Sequence, residues 1–74
     1  MVPLSKLPPY SRGRIVNIMG GRGLVTRLMQ MGFTPGSIVE VVRNDYGPIL
    51  VRVRGVTVAI GRGMANKIFV EPLP

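Results

Sequence analysis

The run Leu24-Val25-Thr26-Arg27-Leu28-Met29-Gln30-Met31-Gly32-Phe33-Thr34-Pro35-Gly36-Ser37-Ile38-Val39-Glu40-Val41-Val42-Arg43 holds a helix, its stop signal and a strand. From Arg22 to Met31 the apolar residues recur with helical period. Met31, Leu24, Leu28, Val25 and Met29 fall on one arc of about 160° at roughly 100° per residue, with Arg22, Thr26 and Gln30 taking the other side, Arg22 next to Met29, and Arg27 on the flank. Gly32 suits the left-handed position just past a helix, Phe33 folds back onto the last turn, and Pro35 forbids continuation. A helix of about ten residues is marginal alone in water, so it must dock on something. Pro35-Gly36 fits the centre of a type II turn, and residues 37–43 are β-branched enough for a strand.

Working outward, residues 4–10 read as an extended or turn segment, because Pro8 and Pro9 exclude a continuing helix. Residues 12–18 form a strand, and Gly20-Gly21-Arg22-Gly23 a flexible corner before the helix. Asn44-Asp45-Tyr46-Gly47-Pro48 makes a loop. Residues 49–54 alternate, with Ile49, Val51 and Val53 inward and Arg52 and Arg54 outward. Gly55 marks a tight turn into a strand over residues 56–60, and residues 61–66 form a turn or a single helical turn. Residues 67–71 close as a strand with Ile68 and Val70 inward, and Pro72 ends it. No linker, repeat or low-complexity tract divides the chain, so residues 1–74 are expected to form one domain. About five short strands with one helix inserted after the first predict a mainly-β, SH3-like barrel. Closing the sheet would remove the two edges that a flat one leaves open.

Composition narrows the function. The chain has 74 residues, 46% of them apolar, and a mean hydropathy of +0.33, which excludes disorder and collagen-like repeats. It has no Cys and no His, which removes disulfides, zinc fingers, iron–sulfur ligation and Ser-His-Asp catalysis. Glu40, Asp45 and Glu71 are its only acids, too few and too scattered for paired-carboxylate chemistry or a hard-cation cage. Met29, Met31 and Met64 are soft ligands better suited to Cu(I) than to Fe²⁺, and core packing explains them more simply. The expectation is a binding module without catalysis, cofactor or metal. A net charge of +7 draws it to anionic partners. No apolar run approaches the roughly 20 residues of a membrane helix, and the N-terminus lacks a signal-peptide stretch, so a cytoplasmic location is expected.

The segment Arg27-Leu28-Met29-Gln30-Met31-Gly32-Phe33-Thr34-Pro35-Gly36-Ser37-Ile38-Val39-Glu40-Val41-Val42-Arg43 resembles the R-L-x-x-M-G-[LF]-x-P-G-x-x-V-E-V-V-x pattern of FeoA domains. Leu4, Leu7, Gly13, Ile15 and Ile18 fit the opening of that family, and Gly20-Gly21 its corner before the helix. Gly47-Pro48-Ile49 and Val51-Arg52-Val53-Arg54-Gly55 fit its hairpin with one residue fewer in the loop. The resemblance covers nearly the whole chain. Two departures stand out: Tyr10 occupies a position where many members carry Gly, and Ala59-Ile60-Gly61-Arg62-Gly63-Met64-Ala65 lacks the Glu of the usual A-L-R-x-x-E-A stretch. The resemblance implies an SH3-like barrel that serves as accessory to the membrane GTPase FeoB, a ferrous iron transporter, without catalysis of its own. A similar barrel ends some iron- or manganese-dependent repressors, and only that fold analogy carries over.

Candidate contact residues follow from the helix and the basic strand. Most of the helix arc is core, yet it is wide for so small a barrel, which leaves Met29 and Val25 at a margin beside Arg22 or Arg27. Arg52 and Arg54 are expected on one outward face with Leu50, with Arg43 or Arg62 nearby. The predicted partner-binding set is therefore Arg22, Val25, Arg27, Met29, Arg52 and Arg54. Tyr10, Tyr46 and Phe69 form no stacking platform, which places a nucleic-acid-binding barrel second, beside the other alternative of a stand-alone SH3-like domain related to metal-dependent repressors. Gly20-Gly21-Arg22-Gly23 matches no phosphate-loop spacing and reads as a structural corner. Self-association and contact with a membrane through the partner are compatible with this reading.

Overall fold

Strand alternation sorts the barrel into an inside and an outside. The computed structural model describes residues 1–74. In chain order the elements are β1 (Val2–Pro3), a 3-10 turn (Leu4–Lys6), β2 (Arg12–Ile18), α1 (Arg22–Gln30), β3 (Ile38–Arg43), β4 (Ile49–Val53), β5 (Val56–Ile60), α2 (Arg62–Ala65) and β6 (Ile68–Pro72). The strands form one antiparallel sheet in the order β1-β6-β2-β3-β4-β5. Ile15, Val39, Val41, Val51, Val53 and Val70 point inward into a core of 14 buried residues. Bulges at Val16 in β2 and Val42 in β3 interrupt the register and supply the local bending that coils the sheet.

The helix and its stop form as the sequence dictates. Leu28 is fully buried, while Leu24 and Met31 pack against the core at half burial. Past the last turn, the Phe33 N–H donates to the Leu28 carbonyl at 3.0 Å and the Gly32 N–H to the Met29 carbonyl at 3.0 Å. These are the two bonds of a Schellman stop, with Gly32 at φ +106° in the position that only glycine takes without strain. Phe33 then buries completely beside the helix it caps. Ser37 N–H closes the turn onto Thr34 carbonyl at 3.0 Å with Gly36 at φ +92°, as a type II turn requires.

Three features differ from the sequence expectation. Val2 and Pro3 pair with Val70 and Phe69 as a sixth strand, so the helix follows the second strand. The ladder does not run full circle: β1 and β5 remain its outer strands. Arg54 is not the last outward residue of β4. With φ +54°, beside Gly55 at φ +77°, it is the first of two left-handed turn residues, because the two-residue link between paired Val53 and Val56 needs both in that region.

Candidate docking surface

The helix sorts its own margin. Arg22, Val25 and Met29 lie at i, i+3 and i+7, within about 60° of one another around the axis. Leu28 is buried, whereas Val25 is half-buried and Met29 is 41% exposed. An apolar strip beside an arginine therefore stays open to solvent. Arg27 is exposed too, but sits about 160° around the helix from Met29, so it does not share this margin.

The strand arginines separate. Arg52 stands across the ladder from Glu40, and its Nη1 donates to Glu40 Oε1 at 3.3 Å. Arg54 instead lays its stem against the helix stop: a Cβ at Gly32 would lie 3.1 Å from Arg54 Cδ. The expectation that both extend from one outward strand face is thus corrected by the hairpin geometry. Leu50 does share the outer face with Arg52 and is half-buried. The arginines that accompany Arg52 there are Arg12 and Arg14 of β2, which the sequence reading did not single out. Arg12 is across from Glu40, and Arg14 is across from Ile38 and Glu71. Their signal was visible in the alternation of Arg12-Gly13-Arg14, with Gly13 buried between two exposed side chains.

Arg43 and Arg62 do not join that face. Arg43 pairs with Asp45 at 3.8 Å in the β3–β4 loop. Arg62 is half-buried and turns inward over the same loop, its Nη2 donating to Asn44 Oδ1 at 2.7 Å and to the Asp45 carbonyl. Asn44 in turn donates through Nδ2 to the carbonyls of Leu7 (2.7 Å) and Ser5 (3.1 Å), and the Ser5 hydroxyl bonds Asn66. This polar clasp joins the N-terminal turn, the β3–β4 loop and α2. Phe69 is half-buried, while Tyr10 and Tyr46 are exposed and lie on separate loops.

No three acidic side chains gather: Glu40, Asp45 and Glu71 occupy β3, the β3–β4 loop and β6. No pocket opens on the surface, so the candidate residues lie on faces and edges. No helix is long and apolar enough to cross a membrane.

A six-stranded sheet coiled around a small core, with a short docked helix and an arginine-bearing outer face, defines an SH3-like barrel. Residues 2–72 match the FeoA domain, and the chain belongs to that family. It is 39% identical over 71 residues, 96% of this chain and 87% of the relative, to a Methanocaldococcus jannaschii protein named "Putative Fe(2+) transport protein A". It superposes with a TM-score of 0.93 on the crystal structure of an iron uptake regulatory protein, FeoA, at 42% identity over 97% of each chain. The zinc complex of Stenotrophomonas maltophilia FeoA, described as an SH3 domain protein, matches with a TM-score of 0.85 at 23% identity over 96% of this chain and 91% of that one, which speaks for the fold alone.

Proposed function

We propose that the 74 residues act as one cytoplasmic accessory module of ferrous iron uptake. It docks on the cytosolic side of a FeoB-type transporter and modulates that transporter's assembly or activity. It works by contact and needs no catalytic group or cofactor of its own. The observation that carries this reading is the uncovered Arg22-Val25-Met29 strip, where Met29 is 41% exposed on a helix whose Leu28 is fully buried. Flexible methionine beside arginine suits a surface that must repack against an apolar and acidic partner. Family membership and the M. jannaschii relative support iron transport as the setting.

The test is an NMR titration of the labelled chain with the soluble GTPase portion of its cognate transporter at two salt concentrations. Amide shifts concentrated on Val25, Met29 and their neighbours are expected, with weaker binding at the higher salt. Met29→Asp places a charge on the strip without touching the core. It should stay folded and bind at least roughly tenfold less tightly, about 1.4 kcal/mol. Unchanged affinity of the folded variant would overturn the assignment.

A further inference from the structure

The sheet ends on two unlike edges. β1 is two residues long and half proline, a short and blunted edge. β5 is the five-residue run Val56-Thr57-Val58-Ala59-Ile60, with no charge, no proline and an unbroken register to β4. The hairpin fixes which of its backbone groups face out. Val53 and Val56 flank the two-residue turn and so exchange both of their N–H···O=C bonds, and bonded and non-bonded pairs alternate from there. Val56, Val58 and Ile60 therefore direct their backbone groups to β4. The N–H and C=O of Thr57 and Ala59 point away from the sheet, and no turn, loop or cap bond reaches either residue. Both residues are exposed.

The side chains at this edge are sorted as well. Val56 and Val58 continue the inner face; Val58 packs on the core, but Val56 is 57% exposed. On the outer face Thr57 stands across from Arg52, and Ala59 across from Leu50. A strand laid along β5 meets apolar ground on one side and an arginine on the other.

We propose that β5 is an edge-pairing site for an extended segment of a partner protein in which acidic and apolar residues alternate. Acidic residues stand opposite Thr57 and Ala59, and apolar residues opposite Val56 and Val58. Arg52 lies two strand spacings from the incoming backbone, about 10 Å, which an arginine stem and an acidic side chain span together. Its guanidinium keeps free donors, since Glu40 engages one nitrogen. The net charge of +7 favours an acidic segment over a second copy of this chain, whose own β5 has no acid to meet Arg52. This edge is distinct from the Arg22-Val25-Met29 strip, and the proposal does not depend on the transporter reading.

The test uses the full ¹⁵N-labelled chain and a capped seven-residue peptide alternating Glu and Val. Shifts centred on Thr57 and Ala59, with slowed hydrogen exchange of those two amides, are expected. The same peptide with Lys for Glu, or N-methylated at the amides facing β5, should bind roughly tenfold more weakly or not at all. Ala59→Pro removes one outward N–H at an edge where proline is tolerated, and should weaken binding by a similar factor. Should that variant not fold, the N-methylated peptide reads the same bond on the unmodified chain. Absence of binding, shifts elsewhere, or equal binding of the N-methylated peptide overturns the proposal. So does a dimer of the free chain in sedimentation equilibrium that Ala59→Pro abolishes, since the edge would then belong to a second copy.

Discussion

Two turns of the same design lead into the sheet with different residues at their critical position. Thr34-Pro35-Gly36-Ser37 carries the chain into β3, and Pro8-Pro9-Tyr10-Ser11 carries it into β2. In each, the serine N–H donates to the carbonyl of the first residue, at 3.0 Å and 3.3 Å respectively. In each, proline precedes a residue with positive φ, +92° at Gly36 and +69° at Tyr10. Each serine hydroxyl also reaches back, Ser37 to Thr34 Oγ1 at 2.7 Å and Ser11 to the Pro8 carbonyl at 2.6 Å. Glycine adopts that conformation freely, whereas for a residue with a Cβ it costs about 1–2 kcal/mol. The Tyr10 turn therefore carries strain that its surroundings must offset. Leu4 and Leu7 anchor it in the core, Asn44 holds the Ser5 and Leu7 carbonyls, and the Tyr10 N–H donates to the Val41 carbonyl at 2.7 Å. The Pro35-Gly36 turn is tied to β2 in the same way, the Gly36 N–H donating to the Ile15 carbonyl at 2.7 Å and the Ile15 N–H to the Ser37 carbonyl at 2.9 Å. With glycine at its left-handed position, however, it has no such strain to offset, and the helix stop before it is closed by bonds between residues a few positions apart.

The largest effect is expected where the locally bonded helix stop meets the core. Phe33→Ala removes a fully buried ring and should destabilise the chain by about 3–5 kcal/mol, read by denaturant unfolding. A domain of this size has a total stability of roughly 5–10 kcal/mol, so the variant should be close to unfolded. A loss below about 1 kcal/mol would break the claim that Phe33 pins the corner.

The strained Tyr10 turn should respond to a distant residue instead. Asn44→Ala leaves two carbonyls without this donor and Arg62 with only the Asp45 carbonyl as acceptor, at a cost of about 1–3 kcal/mol. Hydrogen exchange sharpens the contrast: the Tyr10 amide should exchange faster, while the Gly32 and Phe33 amides keep their protection relative to global unfolding. A double-mutant cycle with Arg62→Ala should show coupling of at least about 0.5 kcal/mol, as expected for residues in one network.

The same contrast explains what could be read from the sequence. The helix, its Gly32-Phe33 stop, the Pro35-Gly36 turn and the inward valines of β4 are set by residues within a few positions of one another, and alternation or helical period exposes them. The clasp is different, because Ser5, Asn44, Arg62 and Asn66 lie far apart in the chain and become neighbours only once the sheet has coiled. Arg62 consequently looked like a surface cation. Arg54 looked like a strand residue because alternation carries through Arg52, and only the pairing of Val53 with Val56 reveals a turn. The sixth strand, Val2–Pro3, is too short to carry a periodic signal at all. For the candidate site, the exposed Met29 margin was legible from the helix arc. Pairing of Arg52 with Glu40, and its company of Arg12 and Arg14, required the register.

The smallest expected effect isolates the backbone itself. A side chain at Gly36 would meet nothing within 4 Å, and Tyr10 is already 82% exposed, so exchanging the two residue types changes little packing. Tyr10→Gly relieves about 1–2 kcal/mol of left-handed strain but returns about 0.5–1 kcal/mol to the unfolded chain as glycine flexibility. The net expectation is a gain of roughly 0.5 kcal/mol, and Gly36→Tyr should lose about the same. On a chain of 74 residues such a change shifts the melting temperature by a few degrees, about 2–4 °C in opposite directions for the two variants. Opposite signs would show that the two turns share one backbone requirement. Destabilisation by both would mean that the Tyr10 ring contributes a contact worth more than the strain it imposes, and the likeness of the two turns would end at their hydrogen bonds.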